Sequence, residues 1–527
     1  MKSFILAAAF GIPAILPAAT TTCESLAALA LPNITVTLAE SRPAGEFMPP
    51  GTPPPGAKPI SRLPAFCRVA GSIRPSADSD IRFEVWLPAS NWNGKFQGIG
   101  NGGYAGVISF GGLADAVRNG YATASTDTGH QDSGTSAAWA LNHPEKIVDF
   151  GHRAIHETAV SAKSFIRAFY GEAPKRSYFN SCSNGGRQAL MEAQRYPTDY
   201  DGIIAGAPAN YWTHLFSAAA SGVRATLAEP ASYIPASKLP ALQAAVLAQC
   251  DAADQVTDGV IENPLTCRFD ASVLQCKDAE TDSCLTVPQL SALKAIYGGL
   301  KTNDGRQIFP GLSPGGEAEQ GGWAPWITGE APQKSLMYAF STQFFTNMVY
   351  SNPDWQFRTF DPGRDVKAAD DRMARHLNAT NSDLSAFQKR GGKLILYHGW
   401  ADAAIPAVNA INYFDSVVSK MGSTTASGFL RLYMVPGMEH CGGGAGPNAF
   451  GQGGTPDGDR FHNIDAALEA WVEQGTAPDQ LIATKYKTGM DRNSGIKRTR
   501  PLCAWPQTAQ YKGSGSTDDA GNFTCGK

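Results

Sequence analysis

The sequence predicts an α/β architecture with a mainly parallel central sheet and a large inserted segment, on three observations. Strand-like apolar runs alternate with helix-like periodic ones, the rhythm of a parallel sheet covered by helices. One strand-to-helix junction, Asn180-Ser181-Cys182-Ser183-Asn184-Gly185-Gly186, holds a serine between small residues. From about Tyr211 to Ala386 the rhythm loosens into sequence rich in Gly, Pro and aromatics, with four cysteines, before strands and helices resume.

The junction carries the most information. The β-type run Arg176-Ser177-Tyr178-Phe179 leads in, and the periodic run Gln188–Ala193 leads out. Strand, tight turn and helix around a serine make the nucleophile elbow of α/β-hydrolases, G-x-S-x-G, with Ser181 in its first position and Gly185 in its last. The turn is strained and other backbone passes close by, so it tolerates little bulk. Ser181 meets that need less fully than glycine would. A serine in this setting also caps ordinary helices, so residues downstream must decide its role.

The chain has 527 residues, 43% hydrophobic and 17% charged, with 55 Gly, 35 Pro and a net charge of −3. That is enough for a large core with an insertion. No basic stripe stands out, which argues against a nucleic-acid partner. Met1-Lys2, an apolar run over 4–16 and Pro17-Ala18-Ala19 read as a secretory signal peptide, cut near residue 19. The apolar run is too short to span a membrane, and no later run reaches eighteen residues. The mature protein is therefore expected to be exported, either extracellular or periplasmic. Ten cysteines, an even number, agree with an oxidising compartment, although counting does not give their connectivity. Three sequons, at Asn33, Asn378 and Asn522, would permit glycosylation in a suitable host.

Residues 20–75 read as a Pro-rich, weakly patterned arm. Ile81–Pro88 alternates as a half-buried strand, and Lys95-Phe96-Gln97 begins another, ending in Gly98-Ile99-Gly100-Asn101-Gly102-Gly103. This glycine loop lacks the pattern of a phosphate cradle. It is a plain turn or the loop that gives an α/β-hydrolase one N–H of its oxyanion hole, from Gly103, the other coming from Asn184 after the nucleophile. Ala122–Thr126 predicts a buried strand, and 152–170 an amphipathic helix with Ala154, Thr158, Phe165, Ile166 and Phe169 inward. His130, His152 and His156 read as structural. Tyr200–Ala207 predicts a further strand.

The insert, 211–386, reads as a lid over the active site. Its aromatics include Trp323, Trp326, Tyr338, Phe340, Phe344, Phe345, Tyr350 and Trp355, each of which alone reads as core. Within it, Asp251, Asp254 and Asp258 interleave with the carbonyls of Val256 and Val260. That oxygen-only set suits Ca²⁺ without EF-hand spacing, or else is an acidic surface turn. The sheet resumes at Lys393–Gly399, followed by Asp402, and again at Gly428–Val435, followed by His440. The order Ser183, Asp402, His440, each after a strand, is that of the α/β-hydrolase triad.

With cysteines beside both the serine and the histidine (Cys182-Ser183 and His440-Cys441), the chain resembles the tannase/feruloyl esterase family from Cys23 to Cys525. The resemblance rests on Gly100–Gly103, Tyr178–Arg187, Tyr200–Pro208, Asp251–Val260, Gly391–Asp402, Val435–Cys441 and Arg498–Cys503. It implies disulfides Cys23–Cys67, Cys182–Cys441, Cys250–Cys267, Cys276–Cys284 and Cys503–Cys525, and a structural Ca²⁺ in the lid on the five residues above. Ser181 departs from the family's usual glycine. The implied layout is a signal peptide over 1–19, a catalytic domain over 20–210 and 387–527, and a lid over 211–386. The implied activity is a secreted serine esterase for small aromatic esters, feruloyl or hydroxycinnamoyl first, with galloyl esters and terephthalate monoesters as alternatives. A further alternative is an inactive, calcium-stabilised binding protein.

Overall fold

A computed structural model describes residues 21–51, 56–453 and 458–527; the expected signal peptide lies outside them. The central sheet has nine strands: β1 (Ile34–Arg42), β2 (Phe66–Ile73), β3 (Ile81–Pro88), β4 (Lys95–Ile99), β5 (Ala122–Thr126), β6 (Arg176–Cys182), β7 (Gly202–Gly206), β8 (Lys393–Gly399) and β9 (Leu430–Val435). They lie in the order β1-β2-β3-β5-β4-β6-β7-β8-β9. The first four in that order pair antiparallel. From β5 onward every pairing is parallel. This is the α/β-hydrolase fold, with a mixed, mainly parallel sheet.

The parallel strands are largely buried, as strands covered on both faces are: β5 and β7 are buried at every position and β8 at all but its first. Helices Ala154–Tyr170 and Asn184–Arg195 contribute Phe165, Ile166, Leu190 and Met191 to the main core, against Phe96, Phe179 and Leu396 of the sheet. Ala154, Thr158, Phe165 and Ile166 are buried as expected, and Phe169 packs against the core partly covered.

One expectation is corrected. The weakly patterned arm over 20–75 is not an arm throughout, because β1 and β2 extend the main sheet in register, Ile34 opposite Ile73 and Arg42 opposite Phe66. Proline around 49–55 hides flanking strands that alternate well enough to pair. Two C-terminal hairpins, Gln480–Thr488 with Asp491–Cys503 and Thr508–Tyr511 with Phe523–Gly526, also went unread.

β7 and β8 are parallel neighbours, yet a long stretch of chain separates them. Parallel neighbours need a crossover from the C-terminal end of one to the N-terminal end of the other. Here that crossover is the helical insertion, which builds its own cores. One surrounds Trp212, Phe344, Phe345 and Trp355, and another Leu242, Val246, Leu293 and Trp323.

Candidate active site

Because β4, β6, β8 and β9 run in the same direction, the segments that leave their C-terminal ends meet on one edge of the sheet. Those segments carry Gly100–Gly103, Ser183, Asp402 and His440. Ser183 stands between β6 and helix Asn184–Arg195 with φ 68° and ψ −126°, a conformation costly for a residue with a Cβ. Its neighbours hold it there: its N–H donates to the Gly206 carbonyl at 2.9 Å, and its own carbonyl accepts from Ala209 and Arg187, both at 3.1 Å.

The elbow is as sharp as its motif requires although Ser181 replaces a glycine. A Cβ on Gly185 would lie 1.9 Å from Ser181 Oγ, and one on Gly100 would lie 2.7 Å from it. The bulk added at the first position is thus accommodated by two glycines around it.

Ser183 Oγ lies 2.9 Å from His440 Nε2, and His440 Nδ1 lies 2.9 Å from Asp402 Oδ2. A carboxylate only accepts, so Nδ1 carries the proton and Nε2 is free to accept from the serine hydroxyl. Asp402 is buried and collects four donors. Oδ1 accepts the N–H groups of Ala404 and Ile405 at 2.8 and 2.9 Å, and Oδ2 accepts from His440 and from His398 Nε2 at 3.1 Å. Burial pushes its pKa up, but electrostatic attraction to the His440 imidazole and the bonds from both imidazoles outweigh this and hold it well below the usual carboxylate range. The Cys182–Cys441 bridge joins the residue before the serine to the residue after the histidine. The other bridges are Cys23–Cys67, Cys250–Cys267, Cys276–Cys284 and Cys503–Cys525, the pairs the resemblance implies.

The glycine loop is fastened from both sides. Gln188, one turn into the serine's helix, accepts from Asn101 N–H at 3.1 Å and donates to Asn101 Oδ1 at 2.7 Å. Tyr104, fully buried, donates through its hydroxyl to the Phe340 carbonyl at 2.7 Å. Gly103 has φ +55°, and a Cβ there would lie 2.3 Å from the Gly134 carbonyl, so only glycine fits without displacing backbone.

Above Ser183 opens a cavity of about 320 Å³. Gly102, Gly103, Asn184, His440 and the Cys182–Cys441 bridge line one side, and Ala209, Trp212, Leu215, Phe216, Trp326, Met337, Phe340, Ala404 and Ile405 the rest. The Trp326 ring meets His440 edge-on at 5.1 Å. Of the insert's aromatics singled out in the sequence, Trp326 and Phe340 reach this cavity, whereas Trp323, Phe344, Phe345 and Trp355 are core. Trp212, Leu215 and Phe216 escaped the sequence reading. They share one face of helix Trp212–Thr226, a pattern indistinguishable from an ordinary core stripe.

Glu439, beside the histidine, was also missed. It is buried with neither carboxylate oxygen hydrogen-bonded, and burial, followed by the nearby Asp402 charge, pushes its pKa up to about 9. The histidines read as structural stand outside the cavity lining. His130 stacks on Trp139, His152 bonds the Tyr196 hydroxyl, and His156 bonds Asp199.

Two groups could hold metal. In the Asp251–Val260 loop, Asp251 accepts from the N–H groups of Asp258 and Gly259, and Asp254 from that of Val256. Asp258 binds Arg498 and Arg500 at 2.8 and 2.7 Å. The donors are all oxygen, the chemistry a hard cation such as calcium takes, although Asp258 is already held by two guanidiniums. Separately, among the described residues, His156, Glu192 and Asp199 bring one nitrogen and two carboxylate oxygens within 4.8 Å of one another.

The family model for tannase and feruloyl esterase matches residues 67–526. The chain belongs to the tannase and feruloyl esterase family. An uncharacterised esterase of Xanthomonas campestris is 43% identical over 98% of this chain and 93% of its own length. A probable feruloyl esterase B-2 of Aspergillus flavus is 38% identical over 83% of each. Among solved structures, feruloyl esterase B from Aspergillus oryzae superposes with a TM-score of 0.88 at 30% identity, covering 96% of this chain and 99% of that one. As a member of the tannase and feruloyl esterase family, this protein is a carboxylic ester hydrolase.

Proposed function

We propose that the enzyme cleaves esters of hydroxycinnamic acids, feruloyl and p-coumaroyl, through an acyl-enzyme on Ser183. The observation that carries this reading is the apolar wall of the cavity. Beyond Asn184 and His440, its lining contains no charged or amide side chain. A terephthalate monoester would bury a ring carboxylate, and a gallate three hydroxyls, against few donors, chiefly the Asn184 amide and the Trp212 indole; an unpaired hydroxyl costs about 1–3 kcal/mol and a charged carboxylate more. A ring with one hydroxyl, one methoxyl and a propenoyl spacer loses least.

In the mechanism, Ser183 Oγ attacks the ester carbonyl as its proton passes to His440 Nε2. Asp402 holds the imidazole in the required tautomer and balances the charge that forms. The N–H groups of Asn184, first in its helix and free of an intrahelical partner, and of Gly103 receive the oxyanion. His440 then protonates the departing alcohol, and water releases the aromatic acid by the reverse sequence.

Asp251, Asp254 and Asp258, with the carbonyls of Val256 and Val260, would hold a structural Ca²⁺ away from the reacting atoms. A chelator should lower the unfolding temperature while leaving the low-temperature rate little changed. The disulfides and the apolar N-terminal run support export, and no helix among the described residues is long and apolar enough to cross a membrane.

Parallel kcat/KM measurements on methyl ferulate, methyl gallate and a terephthalate monoester test the substrate reading. The expected order is ferulate first and the other two at least about tenfold lower. A faster rate on gallate or terephthalate would overturn it.

A further inference from the structure

We propose that His156, Glu192 and Asp199 form a zinc site at the far end of the helix that Ser183 opens, clamping that helix to its neighbour. His156 lies on helix Ala154–Tyr170, Glu192 in the last turn of helix Asn184–Arg195, and Asp199 in the turn beyond it. Glu192 is 1% exposed, and among the described residues no donor reaches either of its carboxylate oxygens, which instead lie beside the Asp199 carboxylate. Buried polar groups are nearly always paired, so an orphaned carboxylate beside a second carboxylate and an imidazole points to a ligand between them.

The donor set chooses the ion. One imidazole nitrogen and two carboxylate oxygens suit zinc, whereas calcium takes oxygen alone. Around a tetrahedral ion with bonds of about 2.0–2.2 Å, ligand atoms stand about 3.3 Å apart. His156 Nδ1 and Asp199 Oδ2 are 2.6 Å apart, so the pair must open by a fraction of an ångström to admit the ion. Tyr196 stacks on the His156 ring at 3.9 Å and keeps its plane. The His156 side chain is 29% exposed, which leaves the ion a way in. The end of a helix, where carbonyls face outward, favours positive charge. Lys163, which donates to the Asp199 carbonyl, already supplies one such charge.

The competing occupant is a proton. Burial and then Asp199 raise the Glu192 pKa well above its ordinary value, so a protonated Glu192 is the arrangement zinc must displace.

The test is calorimetric titration of chelator-stripped protein with Zn²⁺ in buffer containing excess Ca²⁺, followed by metal analysis after dialysis and by thermal unfolding. The expected result is one zinc retained per chain and an unfolding temperature raised by zinc. Affinity should fall about 100-fold or more in both Glu192→Gln and His156→Gln, since losing even an outer-shell partner costs roughly 10–100-fold. Zinc uptake that is absent from the parent, or equal in parent and variants, overturns the proposal. If Glu192→Gln does not fold, His156→Gln at its partly exposed position decides alone.

Discussion

The two sides of the cavity are built on opposite principles. On the Ser183 side the groups are small or polar, fixed by backbone hydrogen bonds, one disulfide and a strained turn. On the facing side stand Trp212, Leu215, Phe216, Trp326, Met337 and Phe340, held mainly by packing and supplied by the insertion. Position to a fraction of an ångström matters where bonds are made, and directional contacts supply it. Shape and dryness matter where a ligand is enclosed, and a wall of large apolar side chains supplies both.

Changes on the first side should therefore cost rate, and changes on the second should cost choice. The largest effect is expected from Ser183→Ala: a fall in kcat of about 10⁴-fold or more with an unchanged unfolding curve. A variant with near-normal rate would remove Ser183 from the chemistry. Next comes replacement of Cys182 and Cys441 together by serine. Stability in denaturant should fall by about 2–4 kcal/mol, and kcat by about 10–100-fold as the hydroxyl and imidazole lose register. A loss of stability without a loss of rate would show that packing alone positions the histidine. Trp326→Ala should lower kcat/KM for a feruloyl ester about tenfold and narrow its lead over a galloyl ester. An equal loss for all esters would place Trp326 with the rate-determining side.

The smallest effect concerns pH. The Glu439 carboxyl ionises at an ordinary carboxylate pKa when unfolded but only at about 9 when folded. The folded state then holds the extra proton, so stability is full below the unfolded value and is lost as pH rises toward 9. Glu439→Gln should remove that loss, unfolding a few degrees above the parent at pH 8 and level with it near pH 4.

The same division explains what could be read from sequence. Ser183, Asp402 and His440 each follow a strand, and chain order together with flanking cysteines distinguishes them from other serines, aspartates and histidines. The small residues at 100–103 are legible for a similar reason, because close approach of backbone leaves a compositional trace. Trp326 and Phe340 leave no such trace: Phe344 and Phe345, a few residues on, are equally aromatic yet wholly core. Whether an aromatic faces a cavity depends on how helices distant in sequence pack, which periodicity does not encode. β1 and β2 were obscured by the proline between them, and only their pairing with each other, and of β2 with β3, reveals them as sheet. Glu439 could not be singled out, because Gly316 of a loop distant in sequence packs against it together with Gly444 of its own loop.

The hydroxyl of Tyr104 reaches across from the glycine loop to the carbonyl of Phe340. Cavity wall and glycine loop are thereby tied by a single bond, so that any displacement of the helix bearing Phe340 would be passed directly to the backbone beside Gly103.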